Sequence, residues 1–226
     1  KKEYLRARLR EKFFARCKSS RPRVLILGFG TQGGGVGAAR FFCRLGYDVV
    51  VTDVKPRKDF VSSIAALRGC KNIHYIFGGH RVSDIQQADL IVKNPGVPET
   101  SPYIIKARSL GKTITNDGAI FLEVVPRERL IGVTGTKGKT TTTLLIKHLL
   151  GNDAVAVGVP GVSFFDYFYE RREPRFVVAE FSSFDLEYAR TSPSIAVMTS
   201  LFPDHLNRYK SFAEYARVKM NIMRYQ

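Results

Sequence analysis

The sequence predicts an α/β protein, in which a Rossmann-like parallel-sheet domain is followed by a second α/β domain of the P-loop type. Three observations carry this prediction. From Arg23 onward, short apolar strand patterns alternate with helical patterns. Two glycine-rich turns, at residues 28–33 and 132–141, each follow an apolar run and open a helix. A charged, proline-led linker at 126–129 separates the two turns, so we expect two successive units.

The first domain is expected to span residues 23–126. Its predicted strands are short apolar runs, as is typical of a buried parallel sheet, and they lie at 24–27, 48–52, 74–77, 89–92 and 113–115. Its predicted helices run from residue 33 to about 45, and near 60–67, 102–110 and 119–125. This alternation completes one Rossmann-like unit.

The second domain is expected to span residues 127–226. Its predicted strands lie at 130–134, 154–157, 176–180 and 195–200, and its predicted helices at 140–150 and 211–225. On the last helix, an apolar stripe of Phe212, Ala216, Met220 and Met223 is expected to face the core.

Residues 1–22 are predicted to form a basic N-terminal helix or extension. The 226-residue chain has 36 Lys and Arg against 20 Asp and Glu, a net charge of +16, and is long enough to exclude a peptide-like or disordered chain. Residues 1–23 hold ten Lys or Arg and two Glu, a net +8, while Leu5, Leu9 and Phe13 recur at helical spacing. The segment either packs on the next domain or contacts nucleic acid, anionic lipid or a transit receptor. Because no aromatic-basic recognition motif accompanies it, nucleic acid is not the expected partner.

Neither a membrane span nor a signal peptide is visible. No apolar run reaches the roughly 18 to 20 residues that cross a bilayer, so we expect a cytoplasmic protein. Cys17, Cys43 and Cys70 are widely spaced and match neither a disulfide framework nor paired zinc ligands. We expect all three thiols to be reduced.

The first glycine turn matches a dinucleotide fingerprint. Gly28, Gly30 and Gly33 follow a strand, and Asp53 stands twenty residues beyond the last glycine. Glycines at such a turn let a phosphate approach the backbone at a helix N-terminus. The motif alone leaves three interpretations: a nicotinamide or flavin dinucleotide, another nucleoside diphosphate, or a structural turn.

The second glycine turn is more specific and predicts an ATPase-type domain. Lys139 is expected to neutralise the β- and γ-phosphate oxygens, and the Thr140 hydroxyl to bind Mg²⁺. Five residues separate Gly132 from Gly138, where the common P-loop has four, so this is a variant loop. The predicted ATP-binding residues are Gly135, Thr136, Lys137, Gly138, Lys139, Thr140 and Thr141.

Polar residues at neighbouring strand ends are candidates for metal ligands. Glu180 closes one strand, and Asp204 and His205 follow the next. Lys219 flanks the apolar stripe of the last helix, so its amine is expected to be partly desolvated and hence more nucleophilic. The alternative for Lys219 is an ordinary helix lysine with its ammonium in water.

Together these pieces resemble the Mur ligases of peptidoglycan synthesis. The resemblance covers residues 23–226 and rests on segments 28–33, 94–98, 134–140, 180–184 and 204–209, followed by Lys219. The run Glu180-Phe181-Ser182-Ser183-Phe184 favours members that add D-glutamate to UDP-N-acetylmuramoyl-L-alanine. In that family ATP phosphorylates the alanyl carboxylate, and the amine of D-glutamate then attacks the acyl phosphate.

The resemblance also assigns residues. It implies that the first domain binds the UDP-sugar and not a dinucleotide, through Thr31, Gln32, Asp53, Val54, Lys55, Asn94, Pro95 and Gly96, with Ser182 from the second domain. Lys139, His205 and Lys219 would be catalytic. Thr140 and Glu180 would hold one Mg²⁺, and His205 a second together with a CO₂-derived carbamate on Lys219.

The sequence departs from the family pattern at four positions and at its end. Lys137 and Val159 stand where Asn is usual, Asn94 where Ser is frequent, and Asp185 where Gln is usual. The family has a longer central domain and a third domain for the incoming amino acid, so we expect a truncated central domain, no third domain, and negligible ligation by this chain alone. One alternative stays open: a non-catalytic regulatory protein that binds a nucleotide or UDP-sugar. If the resemblance holds, the role is in cell-wall biogenesis, and thereby in cell shape and division.

Overall fold

The computed structural model describes residues 1–30, 33–169 and 173–226. These residues form two compact units, Lys1–Asp117 and Gly118–Gln226, each built of parallel strands and helices. The predicted α/β fold class is confirmed.

A parallel sheet forms the centre of the first unit. In the described residues its strands are β1 (Arg23–Leu27), β2 (Asp48–Asp53), β3 (Ile73–Phe77), β4 (Leu90–Lys93) and β5 (Thr113–Thr115), in the spatial order β3-β2-β1-β4-β5. The order reverses between β1 and β4. Open α/β sheets bind their ligands outside the carboxyl ends of the strands at such a reversal. Leu27, which pairs with Thr52 on one side and Lys93 on the other, marks this edge.

The helices of the first unit are α1 (Lys2–Phe13), α2 (Gly34–Leu45), α3 (Val61–Ala65), α4 (Val82–Gln87) and α5 (Pro102–Ser109). The helix predicted near 60–67 is a 3₁₀ turn, Arg57–Phe60, continued by the short α3. Helix α4 was not predicted. It has six residues, of which Ile85 is buried, and that is too short for a periodic apolar pattern to show.

The basic N-terminal helix α1 packs on the first unit. Leu5 and Leu9 are buried, and the following Phe14 stacks on Tyr47 with ring centroids 5.1 Å apart. Arg6 Nε donates to Leu45 O at 2.6 Å. The packing interpretation of this segment is therefore confirmed, whereas contact with a polyanion stays a prediction.

The second unit has its own parallel sheet. Within the described residues its strands are β6 (Leu130–Thr134), β7 (Ala154–Val157), β8 (Phe176–Glu180) and β9 (Ile195–Met198), in the order β7-β8-β6-β9. Its helices are α6 (Asp117–Val124), α7 (Lys139–Leu150), α8 (Ser183–Leu186) and α9 (Phe212–Lys219). Short 3₁₀ segments lie at Arg127–Arg129, Gly151–Asp153, Phe164–Tyr169 and Met220–Ile222.

Helix α6 falls almost wholly in the second unit, although the sequence analysis assigned it to the first domain. Its side chains are apolar nearly all round, so its own pattern does not say which core it joins. Phe121 packs against Phe164 and Tyr167, at ring-centroid distances of 5.3 and 6.0 Å. These contacts place the division between the units at Asp117, ahead of the linker proposed at 126–129.

The predicted apolar stripe on the last helix is wrong by one residue. Phe212 and Met220 are 38% and 41% exposed, and the buried positions are Tyr215, Lys219 and Ile222. The helical spacing is the same, but one member of the true buried face is a lysine. A prediction from hydrophobicity alone therefore selects the stripe one residue away from the face that is buried.

Two smaller expectations concern thiols and membranes. Cys17, Cys43 and Cys70 are free, as expected. Among the described residues, no helix combines the length and apolar character that a bilayer crossing requires. The cytoplasmic location stays a prediction.

Candidate functional site

The first glycine turn is held from inside the protein by Asp53. This carboxylate ends β2, is 7% exposed, and its Oδ2 accepts hydrogen bonds from Phe29 N at 2.9 Å and Gly30 N at 3.0 Å. Its Oδ1 accepts from Lys55 N at 3.0 Å. Two amides of the turn are thus already paired with a protein anion. In a dinucleotide site, the corresponding acidic residue would face the ribose, so the inward direction of Asp53 argues against the dinucleotide interpretation.

The loop at 94–98, which follows β4, packs against the glycine turn. A Cβ on Gly28 would lie 2.8 Å from Val97 Cγ2 and 3.0 Å from Asn94 Cβ. A Cβ on Gly30 would lie 2.9 Å from Asn94 Nδ2. A side chain at either position would have to displace Asn94 or Val97, and both glycines have a positive φ, +85° and +67°. The loop at 94–98 and the glycine turn therefore form one surface at the sheet reversal.

The structure places most of the predicted UDP-sugar residues around this surface. Val54, Lys55, Pro95 and Gly96 are exposed, Asn94 is partly buried, and Asp53 lies beneath the turn. Thr31 and Gln32 lie outside the described residues. Ser182 belongs to the second unit.

His80 lies at the same edge and was missed by the sequence analysis. Its Nδ1 is 2.9 Å from Thr52 Oγ1, and its ring meets Tyr103 edge-on at 5.0 Å. Burial lowers the pKa of His80 and outweighs the nearby Asp53 carboxylate, which raises it. The imidazole is therefore neutral at pH 7. A lone histidine following two glycines gives no local signal of this position.

The glycine-rich turn of the second unit has the form of a phosphate-binding loop. Gly135 and Gly138 have φ of +151° and +84°, and a Cβ on Gly135 would lie 2.0 Å from Thr199 Oγ1. Gly138 precedes α7, whose N-terminus has no side-chain cap. The first amides of a helix lack intrahelical acceptors and favour an anion. Lys139 Nζ folds over the loop and donates to Thr136 O at 3.2 Å.

The other predicted ATP-binding residues line the same turn. Lys137 and Thr141 are exposed, Thr140 is partly buried, and Thr136 is 5% exposed. A phosphate bound here would not need a side chain from each of these residues, since backbone amides do most of the binding in such loops.

The phosphate-binding loop is tied to the chain that follows β9. Thr136 N donates to Ser200 O and Lys137 N to Ser200 Oγ, both at 2.9 Å. Thr199 Oγ1 donates to Lys137 O at 2.5 Å. The sequence analysis extended this strand to Ser200, but the sheet pairing ends at Met198. The last two residues leave the sheet and hold the loop instead.

Lys219 is the most unusual group in the second unit. It is 1% exposed, and its Nζ donates to Gly135 O at 2.8 Å and lies 3.4 Å from Thr134 Oγ1. Burial, reinforced by the positive charge of Lys139, lowers the pKa of Lys219 to about 8. About one-tenth of the amine is therefore neutral at pH 7, against about 0.03% at a pKa of 10.5. The predicted desolvation is confirmed, and the alternative of a lysine with its ammonium in water is wrong.

Tyr215 connects the predicted catalytic residues. Its hydroxyl is 3.1 Å from Thr136 Oγ1, and its ring centroid is 5.0 Å from Lys219 Nζ and 6.3 Å from the His205 ring. His205 itself has a left-handed φ of +51°, which is strained for a residue with a side chain. Tyr215 was not among the predicted site residues; its position four residues before Lys219, on the same face of α9, was the available signal.

Glu180 offers an unsatisfied buried oxygen at the end of β8. The residue is 8% exposed, and in the described part of the chain its Oε2 is buried without a hydrogen-bond partner. Glu180 pairs in register with Val133, one residue before β6 ends. No group of three or more His, Cys, Asp or Glu gathers among the described residues. A divalent cation here would fit Mg²⁺, which binds one or two protein oxygens together with phosphates.

The family departures near Ser182 are structural in this chain. Ser182 caps α8: its Oγ donates to Asp185 Oδ2 at 2.5 Å, and Asp185 Oδ2 accepts from Ser182 N at 2.8 Å. Burial raises the pKa of Asp185. Val159, where the resemblance implies an Asn, is 8% exposed.

The described residues form two successive parallel α/β units, the second with a glycine-rich turn that has the form of a phosphate-binding loop. Residues 22–116 match the model of the Mur ligase MurD-like N-terminal domain, and residues 133–226 match the Mur ligase middle domain. The chain belongs to the Mur ligase family, as the resemblance implied.

Two curated relatives within the family are similar to this chain. The chain is 41% identical over 210 residues to the UDP-N-acetylmuramoylalanine--D-glutamate ligase of Roseiflexus sp. (strain RS-1), covering 90% of this chain and 45% of the relative. It is 35% identical over 206 residues to the enzyme of the same name from Borreliella burgdorferi (strain ZS7), covering 88% and 44%. The chain thus spans less than half the length of these relatives.

Solved structures support the fold. A UDP-N-acetylmuramate:L-alanyl-gamma-D-glutamyl-meso-diaminopimelate ligase from Neisseria meningitides aligns with a TM-score of 0.60 at 19% identity, over 91% of this chain and 68% of that one. A murein peptide ligase from Psychrobacter arcticus 273-4 aligns with a TM-score of 0.53 at 22% identity, over 90% and 46%.

Proposed function

We propose that this chain carries the UDP-sugar-binding and ATP-binding parts of an ATP-dependent ligase that adds D-glutamate to UDP-N-acetylmuramoyl-L-alanine. The observation that carries the proposal is the second-unit site, which combines a phosphate-binding loop, a buried lysine and a carboxylate whose Oε2 has no hydrogen-bond partner among the described residues. Lys219 lies against Gly135 of that loop, and Glu180 ends the neighbouring strand. The names of the curated relatives support the choice of amino acid and sugar nucleotide.

In the first unit, we assign UDP-sugar binding to the surface that the glycine turn shares with the loop at 94–98. Asp53 fixes the turn from below. The exposed residues on top, namely Val54, Lys55, Pro95 and Gly96, are assigned to the ligand with Asn94, and Thr31 and Gln32 by resemblance. Ser182 is assigned to the ligand by resemblance as well. Its hydroxyl would have to share its bond to Asp185.

In the second unit, Lys139 and the loop amides would neutralise charge on the transferred phosphoryl group. Phosphoryl transfer depends mainly on such positioning and electrostatic stabilisation. Thr140 and Glu180 would hold a Mg²⁺ ion, which, when bound, neutralises phosphate charge and orients the oxygens. Transfer of the phosphoryl group from ATP to the alanyl carboxylate would give an acyl phosphate. The amine of D-glutamate would attack this acyl phosphate, and phosphate would leave as the amide forms.

Lys219 and His205 would complete the site around a second Mg²⁺. The neutral amine of Lys219 can attack CO₂, forming an N–C bond and releasing one proton, which gives a carbamate with two ligand oxygens. The depressed pKa of Lys219 makes the required neutral form available. Tyr215 contacts Thr136 and flanks both Lys219 and His205.

Calorimetric titration tests the proposal on the chain as it exists. UDP-N-acetylmuramoyl-L-alanine should bind, NAD⁺ should not, and Mg²⁺-ATP should bind separately. Lys139→Ala and Glu180→Gln should each weaken Mg²⁺-ATP binding, whereas the exposed Lys210→Met should leave it unchanged. Tight NAD⁺ binding, or Mg²⁺-ATP affinity equal in both site variants and wild type, would refute the assignment.

The ligation itself needs a separate measurement. Because the chain spans less than half of its relatives, we expect no D-glutamate-dependent phosphate release from these 226 residues. Phosphate release that requires all three substrates would contradict this expectation.

A further inference from the structure

Lys93 is a buried cation that the proposed mechanism does not use. It is the last residue of β4, is 1% exposed, and pairs in register with Leu27 at the reversal of the strand order. A long charged side chain is rarely buried to this extent without partners. Its Nζ donates to Val97 O at 3.1 Å and forms an ion pair with Glu99 Oε1 at 3.2 Å.

Val97 and Glu99 both lie on the segment that follows Lys93. The chain leaves β4 at Asn94, whose N donates to Leu27 O at 2.9 Å, turns through Gly96, and returns at Val97, whose N donates to Asn94 O at 3.0 Å. The Lys93 ammonium closes this turn from the inside. Glu99 in addition pairs with Arg108 of α5, so the far end of the loop is attached to a helix.

The closed conformation of the loop at 94–98 places its side chains against the glycine turn. Asn94 and Val97 contact the backbone of Gly28 and Gly30 so closely that a Cβ at either glycine would clash. The Asn94 Oδ1 accepts from Gly96 N at 2.9 Å, which fixes the direction of the side-chain amide. If the loop moved outward, the surface shared by the two loops would come apart.

We propose that Lys93 is a positioning residue, whose buried ammonium holds the loop at 94–98 closed on the glycine turn and so keeps the sugar-nucleotide surface formed before the ligand arrives. This inference rests on the proposed function for the identity of the ligand, but the closing of the loop does not depend on it. A protein that holds its binding surface ready does not spend binding energy on ordering it.

The main test compares Lys93→Met with Lys112→Met. Methionine keeps the length of the side chain without its charge. Lys112 is the matched control, because its Nζ also donates to backbone carbonyls, including Ala88 O at 2.9 Å, but it precedes β5 at the amino end of the sheet. If Lys93→Met leaves the loop closed about one-tenth of the time, the apparent affinity for UDP-N-acetylmuramoyl-L-alanine falls about tenfold. Lys112→Met should keep wild-type affinity, and both variants should bind Mg²⁺-ATP as the wild type does.

Amide hydrogen exchange supplies a readout that needs no ligand. Exchange at Val97 N should accelerate in Lys93→Met and stay at the wild-type rate in Lys112→Met. Glu99→Gln, which keeps an acceptor oxygen, should lie close to wild type in both measurements. If Lys93→Met does not fold, Glu99→Leu is measured instead, since it removes the ion pair of Lys93 at a side chain that is one-third exposed. Faster exchange at Val97 N in Glu99→Leu supports the role of Lys93, and exchange at the wild-type rate overturns it.

The outcomes separate the two proposals. Wild type that binds the UDP-sugar, with unchanged affinity and exchange in the folded Lys93→Met, overturns the role of Lys93 and leaves the proposed function standing. Faster exchange at Val97 in a chain whose wild type does not bind the UDP-sugar supports the loop closure and counts against the proposed function. Weaker binding together with faster exchange supports both.

Discussion

Replacing Lys219 by methionine should make the protein more stable at pH 7. The buried ammonium has a pKa of about 8 instead of 10.5, a difference worth about 3 kcal/mol against the folded state. Methionine removes this cost but also the hydrogen bond to Gly135 O, which is worth about 1 kcal/mol. We therefore expect a net stabilisation of about 2 kcal/mol at pH 7.

The gain should reverse at high pH. Because the pKa of Lys219 is lower in the folded than in the unfolded state, the folded state binds fewer protons between pH 8 and 10.5. The wild type therefore gains stability relative to the variant as the pH rises through this window. Above about pH 10.5 the lysine is neutral in both states, and the variant should be the less stable by about 1 kcal/mol.

Urea unfolding at pH 7, 9 and 10.5 measures this difference. The chain has no tryptophan, so circular dichroism is the suitable signal, and buffers must be free of CO₂ to keep the amine unmodified. Lys210→Met is the control: this lysine is exposed, and its replacement should change stability by no more than about 0.5 kcal/mol at every pH. A Lys219→Met protein that is less stable than wild type at pH 7, or whose difference from wild type does not change with pH, would refute the reasoning.

Three further predictions test the two loops and the N-terminal helix. Gly135→Ala should abolish Mg²⁺-ATP binding by calorimetry, because its Cβ would meet Thr199 Oγ1, whereas Gly161→Ala, which has a similar left-handed strain in open space, should retain it. Asp53→Ala should cost about 3 kcal/mol in urea unfolding, because it leaves loop amides without their charged acceptor, and should abolish UDP-sugar binding; stability equal to wild type would contradict the anchoring role. Leu9→Ala should cost about 2 to 4 kcal/mol, since this side chain is fully buried, and a loss below about 0.5 kcal/mol would show that α1 does not pack in solution.

The two glycine turns could be predicted because their signals are local. A strand, a glycine turn and a helix follow one another within residues 23–45 and again within residues 130–150, and the sequence alone indicates the conformation. The direction of Asp53 could not be predicted in this way. The same spacing serves a carboxylate that faces a ribose and one that faces the turn, and only the packing of β2 beside β1 decides between them.

The last helix shows a second limit. Lys219 occupies a buried position because the surrounding residues satisfy its amine, and a hydrophobic pattern has no means of recognising such a position. Helix α6 shows a third limit, since it is apolar nearly all round and its assignment depends on the distant contact of Phe121 with Phe164. Local pattern therefore predicts which elements form, whereas long-range contacts determine which core they join.

The folding of α1 onto the first unit gives its charge a fixed place on the protein surface. Residues 1–23 carry a net +8, and with Leu5 and Leu9 buried these charges do not move away as a loose tail would. A fixed field of this kind attracts polyanionic ligands over the Debye length and accelerates their encounter with the protein. Association rates of anionic ligands should therefore fall steeply as salt is added, while dissociation rates stay nearly constant, so the N-terminal helix would set how fast the protein captures a ligand and not how long it keeps it.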